Sequence, residues 1–249
     1  MRVTAAWNRS IESTIQIPNV SRMRPLTALK DLPAENLAVD LIVEVAHPSV
    51  TAEYIEPILQ KANYLIGSPT ALADPKVLAL VNALCDKYQR TVFVPSGALW
   101  GAEDIRKMAD LGTLSALTIT MKKHPTSFKL ESPLKEKNEQ VGSETVVLYD
   151  GPVRELCALA PNNVNTMAAA CVAAHNLGFD GVQGRLVSDP NLTNSHIVEI
   201  DARGQNGFRV HTIRDNPANV GAVTGSATYA SFLSSIRHAH SKSPGVHLC

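Results

Sequence analysis

The sequence predicts an α/β protein of two lobes, a parallel sheet with helical crossovers followed by an α+β lobe on a mixed or antiparallel sheet. Three observations carry that reading. The stretch LAVDLIVEVA, Leu37 to Ala46, is almost continuous in Leu, Ile and Val, the mark of a parallel strand buried on both faces. Between Leu37 and Val94, strand-like and helix-like segments alternate, which is the repeat of right-handed crossovers. After Gly97 the pattern changes: Leu117, Ile119 and Met121 alternate with Thr118, Thr120 and Lys122, as in a sheet with one wet face. A chain of 249 residues has room for two modest domains with full cores. The expected division is 1–97 for the parallel lobe and 98–219 for the second. A last helix within 220–249 is expected to pack back on the first lobe.

Each element has its local reason. Arg2 to Trp7 is a short apolar segment, a candidate strand, and Asn8-Arg9-Ser10 follows as a polar turn. Ser10 to Arg24 has little pattern and reads as a short helix or loop; Ala28 to Leu32 resembles a helical turn. The Leu37 strand stops at His47-Pro48, because the residue before proline is pushed out of regular helix and proline has no ladder donor. Thr51 to Lys61 reads as a helix capped by threonine and kinked at Pro57. Tyr64 to Gly67 is the next strand. Asp74-Pro75 opens a helix with Leu78, Val81, Leu84 and Tyr88 at helical spacing, and Thr91 to Val94 is another buried strand.

In the second half, a helix from about Leu99 to Leu111 ends at Gly112, a C′ glycine. Further strands are expected at Val146 to Tyr149, Val182 to Ser188, His196 to Ala202 and Phe208 to Ile213. Ser127 to Ser143, rich in Lys, Glu and Pro, reads as an exposed loop. A helix from Ser226 to His238 closes the chain.

Composition narrows the function. The formal net charge is +0 and the basic residues are scattered, so nothing steers the chain toward nucleic acid. No apolar run approaches the roughly 20 residues that span a bilayer, and MRVTAAWNRS has no secretory h-region, so no membrane partner is expected. Cys85, Cys157, Cys171 and Cys249 are widely spaced, with no C-x-x-C pair; no metal site is expected, and a cytoplasmic location suits free thiols.

The chemistry centres on Asn162 to Ile200, which reads as an alanine-rich helix stopped at Gly178, a strand, a turn at Asp189-Pro190-Asn191 and a second strand. On that strand His196, Val198, Ile200 and Ala202 share one face, because strand side chains repeat every two residues. A histidine in register with an apolar face near a strand end is either a satisfied core residue or a proton carrier beside a site. The helix N-terminus would offer Asn165 to a ligand. Ligands of parallel sheets sit beyond the carboxyl ends of the strands, which draws attention to Pro95-Ser96-Gly97-Ala98. The parallel half looks like a nucleotide-binding unit lacking the G-x-G-x-x-G signature. Where such a unit ends its second strand with an acidic residue for a ribose, this chain has Asn8-Arg9-Ser10, and Arg9 suits a 2′-phosphate or is an ordinary turn residue.

Five motifs in order resemble the L-aspartate dehydrogenase family, in its animal branch: FVPSGALWGAEDI at Phe93 to Ile105, GPVRELC at Gly151 to Cys157, APNNVNTMAAA at Ala160 to Ala170, SDPNLTNSHIVEID at Ser188 to Asp201, and NPANVGAVTGSAT at Asn216 to Thr228. The resemblance spans essentially the whole chain. It implies a Rossmann-like domain without its N-terminal glycine-rich strand-turn-helix, then a catalytic domain. It further implies a homodimer and oxidation of L-aspartate with NAD or NADP to iminosuccinate, which hydrolyses to oxaloacetate and ammonia. Family roles carry over to His196 as the active-site histidine and to Ala98 and Asn165 as nicotinamide contacts. Gly97 joins them because a residue without a side chain lets backbone approach the ring. Two substrate carboxylates call for cations, and Lys122, Lys123, Arg154 and Arg185 are all available. The missing glycine loop leaves a second reading open, a catalytically silent relative that binds a metabolite or a partner; an imine or dihydrodipicolinate reductase of the same build is a third.

Overall fold

The computed structural model of the protein describes residues 1–10, 12, 23–26, 28–240 and 242–249. The short helix or loop expected between Ser10 and Arg24 falls for the most part outside the described residues.

Four parallel strands form the first sheet: β3 (Leu41–Glu44), β4 (Asn63–Ile66), β5 (Thr91–Val94) and β11 (Gly245–Leu248), in the order β11-β5-β4-β3. The runs YLI at 64–66 and VFV at 92–94 are fully buried, as continuous apolar strands under helical crossovers must be. Two expectations need correcting. The Leu37 strand is shorter than its apolar run and only its last residue, Glu44, is buried, because β3 is an edge strand among those described. The Arg2 to Trp7 strand reduces to β1 (Ala5–Ala6), which pairs in parallel with β2 (Arg24–Pro25) and stays apart from the larger sheet. The end of the chain supplies β11, which the sequence reading missed.

The crossover helices are α1 (Pro48–Lys61) and α2 (Pro75–Tyr88). Helix α1 starts earlier than expected: His47 is the cap, its Nδ1 accepting from the Ser49 N–H at 3.2 Å. Thr51 lies inside the helix and is hydrogen-bonded to the Tyr64 hydroxyl at 2.8 Å, and the helix runs on past Pro57. Proline at N1 costs no helical hydrogen bond, which is why Pro48 and Pro75 can both open helices. Helix α3 (Ala102–Asp110) closes on Gly112 at φ 65°. The Gly112 N–H bonds the Ala109 carbonyl and the Thr113 N–H the Met108 carbonyl, the paired bonds of a left-handed helix stop.

The second sheet has the order β10-β9-β6-β8-β7, from β6 (Leu114–Lys123), β7 (Val146–Pro152), β8 (Gln183–Ser188), β9 (Ser195–Gly204) and β10 (Arg209–Pro217). Only β6 and β8 are parallel, so the sheet is mixed, as expected. The stretch read as a loop contains a short helix, α4 (Leu134–Glu139), anchored by buried Leu134. Helix α5 (Val153–Leu159) follows, then α6 (Asn165–Ala173), buried on every side except at Val172 and the ends. It therefore lies between layers, touching α3, β11 and the Pro69–Ala73 turn. It ends well before Gly178, which opens a separate turn, α7 (Gly178–Gly181). Helix α8 (Ala227–His238) precedes β11. Among the described residues no helix is long and apolar enough to cross a membrane.

Candidate active site

The carboxyl ends of the parallel strands face one end of the mixed sheet, and a cleft lies between them. Gly67, Pro69, Pro95, Gly97 and Ala98 line it from the first sheet; Met121, Lys123, His196, Val198 and Asn216 line it from the second. Asn162, Asn163, Asn165 and Thr166 enter at the start of α6, and the 223–232 segment closes the far side with Thr224, Thr228 and Phe232.

His196 is the second residue of β9, on the face the alternation assigns it, with Val198, Ile200 and Ala202 buried behind it. Its backbone is held by Asn216 of β10, whose Nδ2 donates to the His196 carbonyl at 3.2 Å. His196 is 5% exposed, and among the described residues its Nε2 has no hydrogen-bond partner. Burial pushes its pKa down to about 4, helped by the Lys123 charge and opposed by a backbone hydrogen bond at Ala222. The imidazole is neutral through the physiological range, and the residue lines the cleft.

Lys123 ends β6. The antiparallel register that sets Lys122 opposite Ile197 carries Lys123 and His196 to neighbouring positions at one end of the sheet. Its Nζ donates to the Val223 carbonyl at 2.9 Å and lies 5.8 Å from the centre of the Phe128 ring. Burial alone lowers its pKa to about 8. The other candidate cations are committed elsewhere: Lys122 pairs with Glu199 at 2.5 Å, Arg154 with Asp180 at 2.5 Å and Arg185 with Asp150 at 2.6 Å. None of these three lines the cleft.

Asn165 is the first residue of α6, and its buried Oδ1 has no partner among the described residues. The Asn163 Oδ1 accepts from the Lys129 N–H at 2.8 Å, which leaves its buried Nδ2 free. Gly97 takes φ 60°, a left-handed conformation, and its carbonyl accepts from Arg214 and from Ser231, each at 3.3 Å. The structure thus brings His196, Gly97, Ala98 and Asn165 into one cleft. Arg9 is not among its lining; it is exposed on the turn after β1, its N–H donating to Asn8 Oδ1 at 2.7 Å. Lys123 was one of four cations the sequence could not separate. The signal that separates it is the alternation itself, since Lys123 follows Leu117, Ile119 and Met121 on the apolar face while Lys122 follows the threonines.

A parallel sheet whose carboxyl strand ends line a cleft, with a mixed sheet that brings a buried histidine to the same cleft, has the build of a ligand-binding α/β protein. Comparison with known proteins makes the class specific. Residues 104–235 match the family described as "Aspartate dehydrogenase, C-terminal", and residues 1–95 match "Homoserine dehydrogenase, NAD binding domain". The chain belongs to the aspartate dehydrogenase family. An aspartate dehydrogenase domain-containing protein of Xenopus tropicalis is 52% identical over 256 residues, covering 100% of this chain and 88% of that protein. An L-aspartate dehydrogenase of Nitrosopumilus maritimus is 26% identical, covering 86% and 78%. Among solved structures, the aspartate dehydrogenase of Thermotoga maritima shares the fold with a TM-score of 0.72 at 22% identity, covering 97% of this chain and 89% of that one.

The residues at hand fit one end of a nicotinamide cofactor. Asn165 Oδ1 is a buried acceptor in want of a donor, and Gly97 and Ala98 put small groups beside it.

Proposed function

We propose that the chain is an NAD- or NADP-dependent L-aspartate dehydrogenase, with His196 as its proton carrier. The observation that carries the reading is the His196 ring: buried, neutral, with one nitrogen unpaired, in the same cleft as Gly97, Ala98 and Asn165. When bound, the nicotinamide supplies the hydride acceptor. Asn165 would receive the carboxamide N–H, and Gly97 and Ala98 would let the ring lie against backbone. His196 Nε2 takes a proton from the substrate amine as the C–H bond of the α-carbon breaks, leaving iminosuccinate. Having returned that proton to the imine nitrogen, it takes one from the water that adds to the imine carbon and passes it to the departing nitrogen, so that ammonia leaves and oxaloacetate remains.

Other parts of the reading rest on placement. Arg9, exposed after β1, is the group that would meet a 2′-phosphate. Residues 1–97 and 98–219 would act as nucleotide-binding and catalytic units. A homodimer is supported by edge strand β10, where Val210 and Ile213 are exposed apolar side chains with Trp100 nearby. Four free cysteines, three of them buried, suit the cytoplasm.

The test is direct. NADH and NADPH are titrated into the purified chain, and turnover of L-aspartate is compared with that of other amino acids. Binding with aspartate turnover supports the proposal. Binding without turnover of any amino acid favours the silent relative, and reduction of a cyclic imine instead favours the reductase reading.

A further inference from the structure

Lys123 is a buried ammonium with an unusual set of neighbours. It is 3% exposed, and its one hydrogen-bond acceptor among the described residues is the Val223 carbonyl. Among the described residues no aspartate or glutamate pairs with it, and the cleft it lines contains no acidic side chain and no other cation. An ammonium has three donors, so one carbonyl leaves most of its hydrogen-bonding capacity unmet in a place where water is scarce. Burying a charge without its counterion is unfavourable, and such a group persists where an anion is to be bound. A lysine needed only to hold Val223 would not require a charge. Residues with neutral donors line the same cleft: Asn163, whose buried Nδ2 has no partner among the described residues, Thr224 and Thr228.

We propose that Lys123 is the anchor for a carboxylate of the substrate, which makes this cleft selective for dicarboxylic ligands, the second carboxylate falling to the neutral donors of Asn163, Thr224 and Thr228. The assignment deepens the dehydrogenase reading and rests on the same cleft. It also links the two buried groups. The Lys123 charge is one of the causes that hold His196 far below its ordinary pKa. A carboxylate seated on Lys123 cancels that charge and lets the imidazole gain basicity as the substrate arrives.

The experiment measures binding and needs no turnover. Succinate, a dicarboxylate without an amine, is titrated calorimetrically into wild type, K123M, K123Q and K123R, each saturated with NAD or NADP, with propionate as the one-carboxylate control. The expected result is succinate affinity lowered about 10- to 100-fold in K123M and K123Q and partly restored in K123R, with thermal stability of K123M no lower than wild type. K123Q decides the matter if K123M does not fold. Equal succinate affinity in wild type and the neutral variants overturns the proposal, as does wild type that binds succinate no better than propionate. Because the readout is binding, a chain that fails to oxidise aspartate yet loses succinate binding with Lys123 would sink the dehydrogenase reading and leave this one standing.

Discussion

Glu44 and Lys123 invite comparison. Each ends a strand, β3 in one sheet and β6 in the other, and each is nine-tenths or more buried and ionisable. They differ in company. The Glu44 carboxylate accepts from the Ser68 N–H at 2.8 Å, from the Ser68 hydroxyl at 3.1 Å and from the Ala46 N–H. It ties the ends of β3 and β4 together where Gly67 passes so close that a side-chain carbon there would sit 2.3 Å from the Glu44 carbonyl oxygen. Lys123 has one carbonyl, and beside it His196 Nε2, Asn165 Oδ1 and Asn163 Nδ2 have no partner. A saturated buried charge holds structure together, whereas unsaturated polar groups on residues that line one cleft mark a candidate ligand site.

That contrast can be broken by substitution. The largest effect belongs to His196→Ala, for which kcat with aspartate should fall about 10²- to 10⁴-fold while cofactor affinity and melting temperature hold. Near-normal turnover would remove the histidine from the mechanism. Glu44→Ala should act the opposite way, costing about 1–3 kcal/mol for each donor left unpaired, read as a lower urea midpoint. Unchanged stability would show that its hydrogen bonds do not tie the strand ends. Asn165→Ala is expected to weaken nicotinamide binding about tenfold, measured by fluorescence titration, without loss of stability, because the amide oxygen is unsatisfied to begin with.

The last effect is a pH slope. His196 has its pKa lowered in the folded chain, from 6.5 to about 4. Between those values the unfolded chain binds the proton and the folded chain does not, so stability falls as pH drops through that window and levels off below it. His196→Gln should remove this part of the slope, seen as the difference between the two proteins' urea midpoints at pH 7 and pH 4.5. Identical slopes would mean the ring titrates alike in both states.

Much of this was legible in the chain of letters. The runs at 64–66 and 91–94 announced buried parallel strands, Asp74-Pro75 announced a helix start, and the two-residue alternation put His196 on the apolar face before any fold was known. Lys123 was equally visible, one step beyond Met121 on the same face, but a basic residue next to another basic residue reads as solvated. What hid the remaining elements was weak local preference. Gly245–Leu248 holds a glycine and a histidine and becomes a strand because β5 offers it a free edge. Leu134–Glu139 is too short for a helical period to show, and buried Leu134 fixes it. The Leu37 run promised a longer, more buried strand than β3, since its position at a sheet edge is not written in its own residues.

The sequence by itself determined the main strands and helices, which face of each is apolar, and that His196 and Lys123 each fall in register with the apolar face of a strand, because these follow from side-chain periodicity within a few residues. Only the tertiary structure decided that they meet. Lys123 and His196 lie far apart along the chain and come together through the register of β6 against β9. Gly97 and Asn165 join them because α6 is buried between the two sheets. Such pairings depend on packing across the whole molecule, and no local pattern encodes which partner a strand end will face.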